Sequence, residues 1–446
     1  MKNYINKLTN KPQKLLAMSF FLAIMLGTIL LMLPISSQDG RILNFFDALF
    51  TATSATCVTG LTVVNTSTHF SFFGKLVIIL LIQIGGLGTM TILYWILSML
   101  NLRIGLSSRN LIREQLSYSS MTGVVRLIKY VVLVSFAIEL VGAFFLSCVF
   151  VPEFGFVKGI LYGVFHSISA FCNAGFDILG DSIRPYNTNV IVNFTIMILI
   201  SLGGLGFMVY IEIFKKKRFR RFNVHTKIVL TVSLLLFLSG FFSFLILEYH
   251  NPRTIAGMKF QDKLMVSSFQ SVTLRTAGFY SIDFSKIKDA TSFSMIPLMF
   301  IGGSPASTAG GIKTTTFGVL LFAAFSYMRG NDYPHVFKKT ISRDVVFKSL
   351  TIFVMAIFLV TGVSFIIEVA EHEKFKFLDV LFETVSAFGT VGISKGITPD
   401  LSLLSKLLVT MTMFLGRVGP ISLAMGIIGR KEKSKINYAE GKILVG

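Results

Sequence analysis

The chain has 446 residues, of which 53% are hydrophobic and only 14% charged, yet its net charge is +20. Such a composition excludes a disordered or nucleic-acid-coating protein, and a soluble globule this apolar would have to expose large greasy patches. Three cysteines exclude a disulfide framework, which leaves a polytopic membrane protein with its positive charge on the cytoplasmic side.

Lys2, Lys7, Lys11 and Lys14 precede an apolar run over 15–33, long enough to cross a hydrocarbon core of roughly 30 Å. A signal peptide would have a shorter apolar region and a small-residue cleavage site. The sequence instead continues Leu33-Pro34-Ile35, which predicts an uncleaved first helix with its N-terminus inside. Further long apolar stretches near 74–100, 125–150, 188–214, 227–248, 291–328, 345–369 and 402–429 bring the candidates to eight. Between them lie shorter apolar segments near 44–59, 159–174, 262–277 and 377–391, too short to span a bilayer.

Charge fixes the sidedness. The N-terminal tail and the segments 103–129, 215–227, 329–348 and 430–442 hold 26 basic residues, with six acids in or beside them. They share one side if each pair of long helices crosses and returns. The four short segments then lie on the opposite, external side and must re-enter rather than cross.

The unit of long helix, short helix, Gly-rich loop and long helix occurs four times. The loops align without gaps as Ser54-Ala55-Thr56-Cys57-Val58-Thr59-Gly60, Ser169-Ala170-Phe171-Cys172-Asn173-Ala174-Gly175, Val272-Thr273-Leu274-Arg275-Thr276-Ala277-Gly278 and Ser386-Ala387-Phe388-Gly389-Thr390-Val391-Gly392. A second anchor follows each: Gly85-Gly86-Leu87-Gly88, Gly203-Gly204-Leu205-Gly206, Gly302-Gly303-Ser304-Pro305 and Gly416-Arg417-Val418-Gly419. The expected fold is an all-α membrane protein with four parallel repeats of helix–pore loop–helix around a pseudo-fourfold central pore. Repeat boundaries are 1–100, 101–223, 224–330 and 331–430, followed by a cytoplasmic tail over 431–446.

Irregular backbone inside a membrane is tolerated where it lines a cavity or is buried in protein. Four loops meeting at the axis satisfy that rule and present carbonyl dipoles that replace a cation's water shell. Gly60, Gly175, Gly278 and Gly392 suit this because glycine reaches φ > 0 and lets backbone approach a ligand. The bland alternative is four helix C-caps. The expected filter therefore comprises Cys57, Val58, Thr59, Gly60, Cys172, Asn173, Ala174, Gly175, Arg275, Thr276, Ala277, Gly278, Gly389, Thr390, Val391 and Gly392, with Arg275 pointing behind its loop. Asp39, Asp47, Glu153, Asp177, Asp181, Asp283, Glu371 and Asp379 would concentrate cations at the mouth. Gly85, Gly86, Gly203 and Gly204 read as packing or bending points.

Two repeats depart from the pattern. In the third, Gly302, Gly303, Ser304, Pro305, Ala306, Ser307, Thr308, Ala309, Gly310, Gly311 and Lys313 interrupt an apolar stretch with residues too polar and Gly-rich for a lipid-facing helix. This segment is either a gate below the filter or a static broken helix. In the fourth, Arg417 lies mid-helix, where a buried charge is expensive. It is either an electrostatic barrier or a partner for helix-end carbonyls or for the 302–316 loop. The chain has no nucleotide fingerprint, catalytic triad or paired-carboxylate site, so no enzyme is expected.

The Gly-Ser-Pro-Ala-Ser-Thr-Ala-Gly-Gly-Ile-Lys-Thr-Thr string at 303–315, the Gly-Arg-Val-Gly-Pro string at 416–420 and the four loop glycines resemble the Ktr/Trk/HKT potassium-uptake superfamily. The likeness is nearest to its bacterial KtrB-type membrane subunits and covers essentially the whole chain. The resemblance implies K⁺ as the transported ion, often coupled to or stimulated by Na⁺, and a homodimer in the bacterial plasma membrane with cytoplasmic termini. It also implies gating by a separate cytosolic RCK-type ring (KtrA- or KtrC-like) that binds ATP and ADP, with no nucleotide bound by this chain. Gly60, Gly175, Gly278 and Gly392 carry over as the filter, and the 302–316 loop with Arg417 as the gate. The alternative function is a secondary carrier for another monovalent cation such as Na⁺.

Overall fold

The computed structural model describes residues 12–89, 91–92, 124–331, 333–372 and 374–419. The basic segments at 2–11 and 430–442, and most of 103–129, lie outside the described residues.

Among the described residues four helices are each long and apolar enough to cross a membrane: α1 (Pro12–Met32), α4 (Val124–Phe154), α8 (Val224–Glu248) and α12 (Arg343–Glu371). Their outward faces carry large exposed apolar side chains such as Leu26, Leu140, Phe242 and Phe358, while Thr28, Ser135, Ser233 and Ser364 are buried inside. Apolar outside and small or polar inside is the polarity of a helix ring facing lipid. Pro34, which cannot continue a helix, follows α1 and opens a short 3₁₀ turn.

Each long helix is followed by a short one: α2 (Phe45–Thr56), α5 (Phe156–Phe171), α9 (Phe260–Thr273) and α13 (Phe377–Gly389). These have 12, 16, 14 and 13 residues, about 18–24 Å of helix, too short to cross. Asp47, Asp262 and Asp379 occupy the first turns of α2, α9 and α13, where the positive end of the helix favours an acid. The last turns are buried among the loops.

The second helices are where the structure departs from the sequence reading. Eight long apolar stretches were expected, with a break in the third repeat alone; the return helices of the other repeats also stop, at a glycine. Helix α3 (Phe72–Leu87), α6 (Val190–Leu205) and α14 (Leu403–Val418) each run 16 residues. They stop at Gly88, Gly206 and Gly419, which share φ of 90–91° and ψ of 130–137°, a conformation that L-residues avoid. After Gly206 the chain leaves at 94° as α7 (Phe207–Lys216). In the third repeat α10 (Asp289–Phe300) breaks into a loop, and α11 (Thr314–Met328) resumes after it. A two-strand hairpin, β1 (His335–Val336) and β2 (Lys339–Thr340), follows on the basic side.

The anchor glycines explain how these helices reach the axis. A Cβ built on Gly85, Gly203 or Gly416 would lie 1.8, 2.0 or 1.9 Å from the carbonyl oxygen of Thr56, Phe171 or Phe388. Each return helix therefore packs backbone to backbone against the last turn of the short helix in its own repeat. In the third repeat the equivalent Gly302 meets Gly310 of the interrupting loop instead, at 2.0 Å.

The four units close into a ring. One apolar core joins the first and second repeats, another the third and fourth, and a third returns from the fourth to the first. Polar ties repeat the same order on the loop side. Asn65 Nδ2 donates to the Gly180 carbonyl at 3.0 Å, Ile183 N to Tyr280 at 3.2 Å, Lys395 lies 3.7 Å from Asp289, and Lys406 lies 3.4 Å from Asp47.

Candidate ion pathway

The four loop glycines meet at the ring axis. A Cβ on Gly60 would lie 2.4 Å from the Ala174 carbonyl oxygen, on Gly175 2.7 Å from Gly278 Cα, on Gly278 2.8 Å from the Val391 carbonyl oxygen, and on Gly392 1.9 Å from that of Thr59. Each glycine thus touches the backbone of the next repeat, and the circle closes. A side chain on Gly278 would also stand 3.4 Å from the Thr59 carbonyl across the ring, so the aperture admits backbone alone.

Two residues before each glycine the backbone is again left-handed: Val58 (φ 59°), Asn173 (60°), Thr276 (67°) and Thr390 (50°). None of these is glycine, and each such residue costs about 1–3 kcal/mol of strain. Alternating left- and right-handed residues turns successive carbonyls toward one side, which is what a cation ladder requires. The short helices brace this geometry. Ser54 and Ser386 hydroxyls accept from the amides of Gly60 and Gly392 at 3.1 Å each, Ser169 Oγ donates to the Phe176 carbonyl at 2.8 Å, and Thr273 Oγ1 donates to that of Phe279 at 2.5 Å.

The outermost expected filter positions sit behind the ring. Cys172 Sγ lies 3.7 Å from Gln83, whose amide donates to both carboxylate oxygens of buried Glu139 at 3.1 and 3.2 Å. Arg275 donates to Ser233 Oγ of α8 at 3.0 Å, and Gly389 packs against the Met299 carbonyl. Cys57 is buried in the core between the first and fourth repeats. Thr59, Ala174, Ala277 and Val391 instead bring their backbones to the ring itself.

The loop of the third repeat lies directly below. Ser304 and Thr308 amides donate to the Gly204 and Gly203 carbonyls at 3.0 and 3.2 Å, and Thr308 Oγ1 donates to Phe171 at 3.1 Å. These partners belong to the second repeat. On the other flank a Cβ on Gly310 would collide with Thr390 Oγ1 at 2.2 Å, and one on Gly311 would lie 3.3 Å from Gly389 Cα. The second and fourth repeats stand opposite each other in the ring, so a loop docked on both crosses the passage. Pro305, Ala306 and Ser307 form its turn: the Phe207 amide donates to the Ala306 carbonyl at 2.9 Å and Ser307 Oγ donates to Ser304 at 2.6 Å. Lys313 Nζ donates to the Ala309 carbonyl at 2.7 Å. Arg417 donates to the Thr308 carbonyl and to those of Gly85 and Gly86. Its guanidinium therefore ties the loop to the broken end of α3, whose last carbonyls have no helical partner.

On the opposite side the ring opens into a pit lined by the four glycines with Asp177, Asp181, Asp283, Arg184 and Lys395. Most acids expected to gather cations here are already engaged. Asp181 and Asp283 lie 2.9 and 4.0 Å from Arg184, Asp47 pairs with Lys406, Asp379 with Lys395, and Glu153 accepts from Tyr186. Burial raises the Asp283 carboxyl, but Ser285, Lys286 and Arg184 outweigh it and hold the group below its usual range.

Four in-register re-entrant loops around a backbone-lined passage define a multi-pass membrane protein of the cation-pore class. The chain belongs to the TrkH family of cation transport proteins, whose model matches residues 3–436. It is 43% identical to the Ktr system potassium uptake protein B of Bacillus subtilis, over 98% of this chain and 97% of that protein. It is 40% identical to the potassium/sodium uptake protein NtpJ of Enterococcus hirae, over 100% and 99%. The crystal structure of the potassium transporter TrkH from Vibrio parahaemolyticus shares the fold at a TM-score of 0.70 and 16% identity, over 91% of this chain and 84% of that one.

Proposed function

We propose that this chain carries K⁺ into the cell through the glycine ring, with the 302–313 loop and Arg417 as its gate. The observation that carries the reading is the coincidence of two features on one axis. Left-handed backbone recurs at the same two positions of all four loops, and a polar loop docks on opposite repeats immediately below. Carbonyls of Thr59, Ala174, Ala277 and Val391 and their neighbours replace the hydration shell; glycine in all four repeats lets them converge. The basic segments support a topology with both termini in the cytoplasm and the pit outside. The proposed repeats span 1–100, 101–223, 224–330 and 331–430, with a tail over 431–446. The working unit is a homodimer in membrane lipid, and a cytosolic RCK-type ring that senses ATP and ADP biases the gate loop.

A second reading, transport of Na⁺ with or in place of K⁺, is favoured by the potassium/sodium name of the Enterococcus relative. Growth rescue of cells lacking their own K⁺ uptake, at limiting K⁺, with and without a Ktr-type regulatory subunit, tests both. Rescue that requires the subunit and persists without Na⁺ is the expected result. No rescue at any K⁺ level, with the protein in the membrane, overturns it.

A further inference from the structure

The short helix of the fourth repeat carries two acids one turn apart, Asp379 and Glu383, on one helical face. Both hold the chain that leaves the ring at Gly392. Glu383 is 2% exposed and accepts from Thr398 Oγ1. Ser394 Oγ lies 3.0 Å from that hydroxyl and accepts from the Gly396 amide at 2.9 Å. Asp379 pairs with Lys395, whose side chain is 7% exposed and lies 3.7 Å from Asp289 of the third repeat. The segment 394–398 is thus gripped at two points by one helix.

The other repeats do without these charges; in the third, neutral Gln270 of α9 donates instead to Ser281 Oγ at 2.8 Å. Counted from the loop glycines, the place of Glu383 is taken by Thr51, His166 and Phe269, and that of Lys395 by Val63, Ile178 and Ser281. The fold therefore demands neither charge. Burying them costs free energy unless each is paired, so their use is local to the fourth repeat. Ser394, Lys395 and Gly396 line the pit beside Gly392. An unneutralised ammonium there would repel an arriving cation. A carbonyl ring separates K⁺ from Na⁺ only while its spacing is held, and the grip holds one quadrant.

We propose that Glu383 and Asp379 are positioning residues for ion selection. Glu383 fixes the fourth quadrant of the ring through Thr398 and Ser394, and Asp379 cancels the Lys395 charge at the mouth; the assignment rests on the filter reading of the four glycines. The test is tracer Rb⁺ and Na⁺ uptake in cells lacking their own systems, with variants matched for membrane abundance. Glu383→Ala and Thr398→Val should each lower the Rb⁺/Na⁺ ratio roughly tenfold, the cost of leaving one buried hydrogen-bonding group without its partner. The double variant should be no worse than either single one. Glu383→Gln, whose amide oxygen still accepts from Thr398, should keep the ratio. Asp379→Asn should raise KM for Rb⁺ about threefold or more at unchanged maximal rate, and adding Lys395→Met should restore it. Unchanged ratios in Glu383→Ala and Thr398→Val, beside a Gly392→Ser that loses its ratio, overturn the proposal and leave the filter standing. An unchanged ratio in Gly392→Ser overturns the filter itself. Thr398→Val conserves volume and carries the test alone if Glu383→Ala does not reach the membrane.

Discussion

The two levels of the pathway use the fourfold repeat in opposite ways. At the ring, every repeat gives the same part: a glycine at φ 69–94°, a left-handed residue two places earlier, and a short helix behind it. One level below, the symmetry is gone. Among the described residues the third repeat alone supplies a crossing loop, the fourth supplies Arg417, and the first and second supply bare helix ends for them to dock on. A coordination sphere wants equal ligands on all sides, and repetition provides them. A barrier that opens wants one element that can leave, which a symmetric ring would not provide.

The largest expected effect breaks the symmetric level. Gly392→Ala places a Cβ 1.9 Å from the Thr59 carbonyl at φ +87°, so both sterics and backbone oppose it. K⁺ over Na⁺ discrimination in uptake should fall by about tenfold or more, the scale of one strained residue. Gly175→Ala, whose nearest neighbour is a Cα at 2.7 Å, should cost less. The reverse ranking would mean that carbonyl contact is not what demands glycine.

Next comes the asymmetric level. Arg417→Gln removes a charge shared between the Thr308 carbonyl and those of Gly85 and Gly86, at about 1.5–3 kcal/mol per charged hydrogen bond. Uptake without the regulatory subunit should rise while ion discrimination stays. Removal of 305–309 should act in the same direction. Arg417→Lys should recover little, because one ammonium does not span both partners as the planar fork does. Lost discrimination with unchanged basal uptake would show that the two levels are one.

A smaller contrast sits inside one anchor. Gly203→Ala would put a Cβ 2.0 Å from the Phe171 carbonyl, whereas Gly204→Ala meets nothing closer than Asn173 Nδ2 at 3.4 Å. The thermal midpoint of the purified protein should drop for the first and hold for the second. Equal losses would mean that close approach to the Phe171 carbonyl is not what demands glycine at 203, because helix propensity, about 1 kcal/mol in favour of alanine, would raise both midpoints.

The symmetric level was the more legible of the two in the sequence. Gly60, Gly175, Gly278 and Gly392 announce themselves because their φ excludes other residues, and an aligned glycine is visible at any distance. Val58, Asn173, Thr276 and Thr390 share a backbone strain that no common side chain records. The break at Gly88, Gly206 and Gly419 was hidden for a different reason. Apolar residues continue on both sides, so hydropathy reads one span where the backbone turns, and the preceding Gly-Gly pairs draw attention to themselves. The loop at 302–313 stood out by composition. Its docking rests on main-chain amides meeting carbonyls of the second repeat, which composition does not encode. Arg417 was visible as an anomaly, but its partners come from residues more than 100 positions away.

The smallest expected effect lies at the mouth, and it separates charge from geometry. Asp283 lines the pit beside the ring, yet Arg184 and Lys286 already share its carboxylate. Asp283→Asn should therefore change K⁺ uptake by less than about twofold, as an exposed ion pair of small net worth implies. Its pH signature follows from the lowered folded-state pKa. The stabilisation it gives is complete above the ordinary carboxylate pKa and is lost as pH falls through the folded value. Between pH 7 and 5 the wild type should keep a constant thermal-midpoint advantage over Asp283→Asn, and the two should converge only in more acid solution, where the wild type loses it. A tenfold loss of uptake at neutral pH would return the mouth acids to the role of gathering cations. A loss within twofold would leave selection to the backbone ring, where the four repeats agree, and admission to the loop, where they do not.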